Sequence, residues 1–337
     1  MKTERLARPA FFLALSLSLS VSQTLLPAAD DLPAEAYERL KKSFVEILVD
    51  DHLDGSGWIA EADGIVVTAS HVVNIPGKRV EVMSPGIGRV EAKVIAIDRG
   101  NDTAVLKLPA RDGGYPALGF AEKVPTAAAQ VYLLGSPVFR HGILLTAMIG
   151  RDSDTFEFMA FSGDYVRIMH LSGSGPPGSS GGPWVNARGE VIGLNSGLMR
   201  DGAASAGIGF MVPVDPIRTL VKTKQTPATP TLGSAFEEFW EEKKEYTHNF
   251  PPKTEGLALR ALKKDGPAMN AGLKDGDLLV AIDDKPVRLR DEGVAILRAH
   301  KSGDVVKLKV LLPAGGFSEK TLPLGDLEAD WAATRKP

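Results

Sequence analysis

The stretch Gly64-Ile65-Val66-Val67-Thr68-Ala69-Ser70-His71-Val72-Val73 has the pattern of a hydrophobic β-strand that ends on a histidine. Its run of Ile and Val favours a buried strand, and the glycine that opens it is typical of a preceding turn. An imidazole at the end of such a strand is either a structural residue or a catalytic base. Sequence patterns elsewhere in the chain decide between these two roles.

The strand pattern continues on both sides of this stretch, from residue 43 to about residue 217. Short segments rich in Val and Ile are separated by Gly, Pro or Asp. Strands are predicted at 43–49, 56–60, 64–70, 79–83, 92–98, 103–108, 130–134, 144–149, 165–169, 182–186, 191–195 and 207–212, with a short closing helix at 216–222. A dozen short strands at this spacing predict an all-β barrel or sandwich and exclude a series of βαβ units.

Two further stretches carry polar residues at positions where chemistry is expected. Asp102 stands directly before the buried strand 103–108, and Ser180 lies in the glycine-rich turn 178–183. Each pattern alone is typical of an ordinary turn. The chain order of histidine, aspartate and serine, however, is that of the chymotrypsin-type proteases. His71, Asp102 and Ser180 are therefore the predicted catalytic residues.

These three residue types are what acyl transfer requires. A serine hydroxyl becomes a nucleophile when an imidazole takes its proton, and a carboxylate bonded to the second ring nitrogen fixes the tautomer. Glycines allow a tight turn, in which the amides of Gly178 and Ser180 can converge on the developing oxyanion. The backbone of Gly178, Ser179 and Ser180 is thus the predicted oxyanion hole. Ser180 is preferred to Ser179 as the nucleophile because Gly-Gly-Pro follows it.

Taken together, these motifs resemble the HtrA (Deg) family of exported serine proteases, which act in protein quality control and the stress response. The resemblance covers nearly all of the chain after the N-terminal segment, at residues 55–59, 64–73, 102–107, 135–137, 178–183, 189–195 and 207–213. It implies a chymotrypsin-like double β-barrel, the triad named above, assembly into trimers, and no metal or organic cofactor. It also implies that such an enzyme can rest in an inactive state until a peptide or a loop rearrangement forms the oxyanion hole.

The sequence departs from the family pattern in several places. Ser179 stands where the family commonly has Asn, and Trp184 stands where it commonly has Leu. The approach to the serine, residues 170–177, also differs, which leaves the substrate preference open. The acidic loop Asp50–Asp54 is interpreted as a solvated turn rather than a Ca²⁺ site.

The C-terminal third is predicted to be a separate small α+β domain. Residues 225–230 (QTPATP) form the predicted linker. Ser234–Tyr246 is predicted to be an acidic helix, with Phe236 and Trp240 on one face and packed onto the second domain. Strands are then predicted at 256–262, 277–282, 305–312 and 320–322, and helices at 267–271 and 291–300.

Within this part, Gly266–Leu279 resembles a PDZ domain of the HtrA type. PDZ domains bind an extended peptide by adding it as a strand to a sheet edge, with backbone amides holding its C-terminal carboxylate. Leu232 and Gly233 are the two residues that match the family's carboxylate loop. A C-terminal peptide is therefore a predicted partner, and a purely structural domain is the alternative. Val294, Ile296 and Leu297 either wall the groove or pack in the core.

The N-terminus has the pattern of a secretory signal peptide over residues 1–29. Lys2, Arg5 and Arg8 precede an apolar stretch and a run of small residues. The charge-free stretch 9–29 is also long enough to span a bilayer, but its serines and prolines favour cleavage over anchoring. An exported, periplasmic or extracytoplasmic protein is expected, with a membrane-anchored form as the alternative.

Composition bounds the remaining possibilities. The 337 residues are 44% hydrophobic, contain no cysteine and carry a formal net charge of −3. Disulfide scaffolds, cysteine–zinc sites and cysteine nucleophiles are excluded, and no nucleic-acid partner is expected. The predicted domains are the signal peptide 1–29, a trypsin-like protease domain 33–224, the linker 225–230, a PDZ domain 231–326 and a tail 327–337.

The predicted function is that of a serine endopeptidase that cleaves misfolded or exposed polypeptides through an acyl-enzyme. Two alternatives stay open at this point. One is a peptide-binding or chaperone-like protein whose protease domain is inactive at rest, and the other is a membrane-anchored regulatory protease.

Overall fold

The computed structural model describes residues 31–75, 77–313 and 315–329, and the predicted signal segment lies outside them. From Leu32 onward the chain belongs to one compact unit. Three sheets make up most of it: two seven-stranded sheets formed by the N-terminal two thirds, and a six-stranded sheet formed by the C-terminal third. The predicted double β-barrel followed by a small α+β domain is confirmed.

The first barrel is an antiparallel sheet with the strand order β5-β4-β1-β2-β3-β7-β6. Its elements are α1 (Ala34–Ser43), β1 (Phe44–Val49), β2 (His52–Glu61), β3 (Ile65–Ala69), α2 (Ser70–Val73), β4 (Val80–Ser84), β5 (Gly88–Glu91), β6 (Lys93–Asp98) and β7 (Thr103–Lys107). β1 and β3 are buried at every position. This burial on both faces explains why they are almost continuous apolar runs, broken only by Glu46 in β1 and Thr68 in β3.

The second barrel follows the order β10-β11-β14-β13-β12-β8-β9, and β9 also pairs with β11. Its elements are β8 (Gln130–Gly135), a 3₁₀ turn (Pro137–Phe139), β9 (Ile143–Ile149), β10 (Thr155–Met159), β11 (Asp164–Ser172), β12 (Pro183–Val185), β13 (Val191–Asp201), β14 (Ala204–Pro213) and the closing helix α3 (Val214–Thr223). All twelve predicted strands of the two barrels occur, with shifted ends. Sequence reasoning missed β5, which is short, and β10, which carries aromatic residues instead of Val and Ile.

The third sheet has the order β16-β17-β18-β20-β21, with β19 beside β18. The elements of this part are β15 (Pro230–Thr231), β16 (Ala235–Glu238), a 3₁₀ turn (Phe239–Glu241), α4 (Lys244–Thr247), β17 (Leu257–Arg260), α5 (Pro267–Asn270), β18 (Leu278–Ile282), β19 (Lys285–Pro286), α6 (Arg290–Arg298), β20 (Val305–Leu311), β21 (Phe317–Pro323) and β22 (Gly325–Asp326). β15 pairs with β22, which joins the two ends of this part. The exact domain boundaries stay a prediction.

The helix predicted over Ser234–Tyr246 is wrong. The segment contains the edge strand β16, the 3₁₀ turn and the short helix α4. Phe236 is buried and lies opposite Leu259 of β17, whereas the Trp240 residue is 72% exposed. Pairing with β17 stabilises an extended segment more than one isolated helical turn could, because short helices are marginal without packing.

One hydrophobic cluster spans the two barrels, and the second barrel has a further cluster of its own around Trp184. A cluster of buried side chains runs from Leu40 of α1 through β1–β7 into β11–β14 and α3. Phe44 is buried in this core, and Tyr37 is partly buried against it. Both side chains therefore pack against residues of their own chain. The trimer expected from the family resemblance stays a prediction. Within the described ranges, no helix is both long and apolar enough to cross a membrane.

Candidate active site

His71 and Asp102 are brought together by strand pairing in the first barrel. β3 ends at Ala69, and His71 follows in the first turn of α2. Asp102 immediately precedes β7, and the pairing of β3 with β7 sets Ala69 opposite Thr103. The two side chains therefore extend from neighbouring strand ends on the same side of the sheet.

The Asp102 carboxylate is fully buried and fully engaged. His71 Nδ1 lies 2.9 Å from its Oδ2 and 3.1 Å from its Oδ1, and the His71 backbone N–H donates to Oδ1 at 3.1 Å. The Ser70 hydroxyl donates to Oδ1 at 2.8 Å, and the Ser196 hydroxyl donates to Oδ2 at 2.6 Å. A buried carboxylate needs such donors to stay charged.

This network also holds Asp102 in an unusual backbone conformation. Its φ is +40°, in the left-handed region that a non-glycine residue rarely adopts. The Ser70 N–H donates to the Asp102 carbonyl at 3.1 Å, so Ser70 contacts both the backbone and the side chain of Asp102. Ser70 thereby joins His71, its direct neighbour, to the carboxylate that His71 contacts.

Burial and the charge of Asp102 shift the pKa of His71 in opposite directions. Burial of the imidazole lowers its pKa, and the charge of Asp102 together with the Asp102 hydrogen bond raises it. The net effect is a His71 pKa above its ordinary value of 6.5. A base poised in this way takes up a proton readily near neutral pH.

Ser180 lies in the tight turn before β12, and two glycines make this turn possible. Gly178 has φ +92°, and a Cβ there would lie 2.3 Å from the Ser136 carbonyl oxygen. Gly181 has φ +84°, and a Cβ there would lie 2.2 Å from the Ser56 carbonyl oxygen. The Ser180 carbonyl accepts from the Ser56 N–H at 2.8 Å, which ties the nucleophile loop to the first barrel.

The amides of Gly178 and Ser180 are free to act as an oxyanion hole. The Pro177 carbonyl accepts from Val138 at 2.7 Å, and the Ser179 carbonyl accepts from Gly182 at 3.0 Å. Because N–H and C=O point in opposite directions across a trans peptide, the Gly178 and Ser180 N–H groups point away from these partners. Neither of these two amides has an acceptor among the residues that the structure describes.

The Ser179 amide has a different role from the one predicted. It donates to the Pro176 carbonyl at 3.0 Å, so it closes the turn instead of facing an oxyanion. The Ser179 hydroxyl is buried beside Gly135, and it lacks a hydrogen-bond partner among the described atoms. The geometry therefore supports two donors, at Gly178 and Ser180.

Ser180 and His71 are not hydrogen-bonded in this structure. No bond between Ser180 Oγ and His71 Nε2 is present, and both residues lie within the described part of the chain. Catalytic hydrogen bonds are often long without substrate and tighten in the substrate complex. The structure thus has a formed base and carboxylate beside a serine that has yet to engage.

Three residues that touch the site were missed by sequence reasoning. Ser70 and Ser196 bond Asp102, and the ring of Phe161 lies 4.4 Å from that of His71 with an angle of 35° between the planes. Ser70 and Ser196 each adjoin a motif, next to His71 and Asn195, which is a signal that sequence reading could have used. Phe161 has no such signal, because it comes from the turn between β10 and β11.

The predicted peptide groove of the C-terminal domain lies beside the edge strand β16. Leu232 is buried in the core of this domain, and Gly233, at φ +70°, donates its N–H to Thr231 Oγ1 at 2.9 Å. Val294 and Leu297 are buried in the same core, with Ile296 partly buried against it. These apolar side chains of α6 therefore pack inward.

The free edge of β16 is occupied by the protease domain itself. The Phe236 N–H donates to the Tyr165 hydroxyl at 2.6 Å, and the two rings stack with their centroids 5.6 Å apart. Phe156 and Phe158 of the same β10–β11 hairpin (residues 155–172) are partly buried against this core. Asp291 of α6 accepts from Thr155 Oγ1 at 2.6 Å. The hairpin thus lies where an added peptide strand would lie.

The acidic loop 50–54 is engaged by basic side chains. Asp50 pairs with Lys78 at 2.5 Å, and Asp51 pairs with Arg79 and Arg89. Within the described residues, no cluster of three or more histidine and carboxylate side chains could hold a metal ion.

Comparisons with known proteins agree with this architecture. Residues 55–194 match the model of the trypsin-like peptidase domain, and residues 260–311 match that of the PDZ domain. A probable periplasmic serine endoprotease DegP-like of Pseudomonas fluorescens is 29% identical over 265 residues, which is 76% of this chain and 53% of the relative. The putative serine protease HhoA of Synechocystis is 29% identical over 247 residues, covering 69% of this chain and 61% of the relative.

Solved structures with similar folds extend across both domains. The HtrA-type protease AlgW with tripeptide superposes with a TM-score of 0.61 at 22% identity, covering 87% of this chain and 96% of that one. The serine endoprotease from Yersinia pestis gives a TM-score of 0.58 at 20% identity, with coverages of 87% and 97%. The chain spans little more than half the length of the curated relatives it matches. With one trypsin-like peptidase domain followed by one PDZ domain, the chain is similar to HtrA-type proteases in sequence and in fold.

Proposed function

We propose that this protein is an exported serine endopeptidase that cleaves misfolded or exposed polypeptides. The observation that carries the proposal is the Asp102–His71 pair beside a serine whose turn has two unengaged amides. Serine acyl transfer requires these groups together: an oriented base, a nucleophile and preorganised donors for the oxyanion.

The proposed reaction begins when a polypeptide carbonyl lies over Ser180. His71 Nε2 takes the hydroxyl proton while Ser180 Oγ attacks the carbonyl carbon, and Asp102 stabilises the imidazolium that forms. The Gly178 and Ser180 amides bind the oxyanion, at about 3 kcal/mol for each donor. His71 then protonates the leaving amine, and water attacks the acyl-enzyme by the same steps in reverse.

Replacement of the nucleophile tests this proposal. Ser180→Ala should abolish cleavage of casein and labelling by a fluorophosphonate, because it removes the hydroxyl that is proposed to attack the substrate carbonyl. Ser318→Ala, on the outer strand β21, is the matched control and should retain both. Peptide mapping of the wild-type adduct should locate the label on Ser180 and not on Ser179. Undiminished cleavage by Ser180→Ala would refute the assignment.

A ligand-responsive form of the same enzyme is the second candidate, and the occupied edge of β16 favours it. A C-terminal peptide that adds to this edge must take the Phe236 N–H from Tyr165. This competition for one hydrogen bond is the observation that supports a peptide-responsive form. Fluorophosphonate labelling with and without a peptide that ends in a free carboxylate separates the two forms. Equal labelling favours the constitutive enzyme, whereas silence under all conditions favours a peptide-binding protein without activity.

Export is proposed from the N-terminal sequence pattern and from relatives whose names include the word periplasmic. N-terminal sequencing of the protein from its membrane and soluble fractions tests this step. A start near Gln23 or Asp30 in the soluble fraction is the expected result. An intact N-terminus found only in membranes would instead support the anchored regulatory protease.

A further inference from the structure

The side chain of Phe161 is unusual because it is both exposed and held in place. It is 40% exposed, yet its ring covers one face of the His71 imidazole at 4.4 Å. Large apolar side chains that remain exposed at a concave site often contact a ligand. The question is which part of a bound substrate this ring meets.

The turn that carries Phe161 is anchored at both sides of the ring. The Ser162 and Gly163 N–H groups donate to the Met159 carbonyl at 2.9 Å and 2.8 Å. The guanidinium of Arg99 donates to the Ser162 carbonyl, and the Ser162 hydroxyl donates to the Arg99 carbonyl at 3.4 Å. Phe161 is therefore fixed relative to the loop that carries Asp102.

The direction of a bound substrate follows from β13. At Asn195 the outer edge of this strand is hydrogen-bonded to the serine turn. The Gly181 N–H donates to the Asn195 carbonyl at 2.7 Å, and the Asn195 N–H donates to the Gly182 carbonyl at 2.9 Å. Beyond that point, Gly197 and Leu198 pair only with β14 among the described strands, so the outer edge of β13 there can accept an added substrate strand. Successive side chains of a strand point to opposite faces, so the substrate residue before the scissile one points away from the side chain of the scissile residue.

We propose that Phe161 forms the apolar wall of the subsite for the substrate residue that precedes the scissile residue, the P2 residue. This inference rests on the proposed endopeptidase function. The ring and the imidazole together offer an apolar surface that accepts Leu or Ala and disfavours a charged side chain, because a charge there would lose its hydration without gaining a partner. Phe161 is thus a specificity-determining residue contributed by the β10–β11 hairpin.

The test compares peptide substrates that differ only at P2, with Leu, Ala, Gly, Asp or Arg. The wild type should have a kcat/KM for Leu at least tenfold above that for Asp. Phe161→Ala should reduce this ratio to about twofold, and Phe161→Tyr, which keeps the ring, should retain it. Phe317→Ala removes a similarly exposed ring from β21 and should leave the ratio unchanged.

The rate of labelling by a small fluorophosphonate, which has no P2 group, separates a subsite from a structural role. In Phe161→Ala the change in the Leu/Asp ratio should exceed the change in this labelling rate, whereas a purely structural role would lower the labelling rate and every kcat/KM together. Two results would overturn the proposal: an unchanged Leu/Asp ratio, or an equal change for every substrate, which would mean that the ring blocks or supports the site as a whole. Failure of the wild type itself to label or cleave would count against the endopeptidase, and not against the subsite alone.

Discussion

At the scale of single residues, Asp102 carries the only full charge in contact with His71, the proposed catalytic base, among the described residues. It accepts hydrogen bonds from His71, Ser70 and Ser196. Because the carboxylate has no contact with solvent, its influence on His71 is weakly screened. The pKa of His71 should therefore depend strongly on the Asp102 side chain.

Asp102→Asn should lower both the rate and the pKa of the base. Without the carboxylate, the effect of burial alone remains, and it lowers the His71 pKa. In the wild type, kcat/KM should fall as the pH drops through a His71 pKa that lies above 6.5. In Asp102→Asn this fall, the acid limb of the profile, should occur at lower pH. The maximal rate should fall by about 10³- to 10⁴-fold, since the amide favours the wrong tautomer. An unmoved acid limb, with exposed Asp112→Asn as control, would contradict this account.

Ser70 and Ser196 should contribute measurable stability. Removal of one donor to a buried carboxylate costs about 1–3 kcal/mol. We expect Ser70→Ala and Ser196→Ala each to reduce the free energy of unfolding by this amount in denaturant titrations. The double variant should be non-additive, because both hydroxyls serve the same group. Simple additivity would show that the two serines act independently of Asp102.

At the scale of elements, the β10–β11 hairpin connects regions that are distant in sequence. Its turn reaches His71 through Phe161, and its strands reach β16 and α6 through Tyr165 and Thr155. Arg298 of α6 adds bonds to the Asp164 carboxylate and the Tyr165 carbonyl, at 3.0 Å and 2.8 Å. Peptide binding at β16 must therefore compete with this hairpin.

Tyr165→Phe should strengthen peptide binding. The substitution keeps the stacked ring but frees the Phe236 N–H for an incoming strand. A hydrogen bond of this kind is worth about 1 kcal/mol, which corresponds to roughly a fivefold gain in affinity. Fluorescence polarisation with a labelled hydrophobic C-terminal peptide measures this, with the amidated peptide as the negative control. Tyr115→Phe, which loses a hydroxyl bond to the Pro109 carbonyl elsewhere, should leave affinity unchanged.

At the scale of the whole molecule, the C-terminal segment docks onto the protease domain through Glu328. Its Oε1 accepts from the Arg99 N–H at 2.6 Å, and its Oε2 is buried without a partner among the described residues. The pKa of Glu328 is raised to about 7: burial raises it most, the N–H and the charge of Arg99 lower it, and the charges of Asp98 and Asp326 raise it. The pKa of buried Asp98 is also raised by burial.

A raised carboxyl pKa makes the folded molecule less stable as pH rises. Between about pH 4.5 and 7 the folded state holds a proton that the unfolded chain releases, so the free energy of unfolding should fall by up to about 3 kcal/mol from Glu328. Thermal unfolding at pH 5, 6, 7 and 8 should have a flatter pH dependence in Glu328→Gln, with a residual slope from Asp98. The exposed control Glu319→Gln should keep the wild-type slope. An equal slope in Glu328→Gln would contradict the buried contact.

Local patterns were sufficient to predict twelve strands of the two barrels and the three proposed catalytic residues, but not β5 and β10. The strand before His71 and the glycine turn around Ser180 are encoded within about ten residues each, because burial and tight turns select Val, Ile and Gly. The same reasoning failed at residues 234–246, where an edge strand forms only because β17 is available as a partner. It also assigned the Ser179 amide to the oxyanion hole, which the Pro176 carbonyl excludes.

By itself, the sequence determined the pattern of short strands, the small α+β C-terminal domain and the candidate catalytic residues His71, Asp102 and Ser180, whereas the double barrel followed from the family resemblance. Only the tertiary structure decided that Ser70 and Ser196 meet at Asp102, that Phe161 covers His71 and that Tyr165 occupies the edge of β16. The physical reason is one of range. Strand and turn preferences act between near neighbours, whereas these contacts join residues that become adjacent only when separate sheets pack against one another.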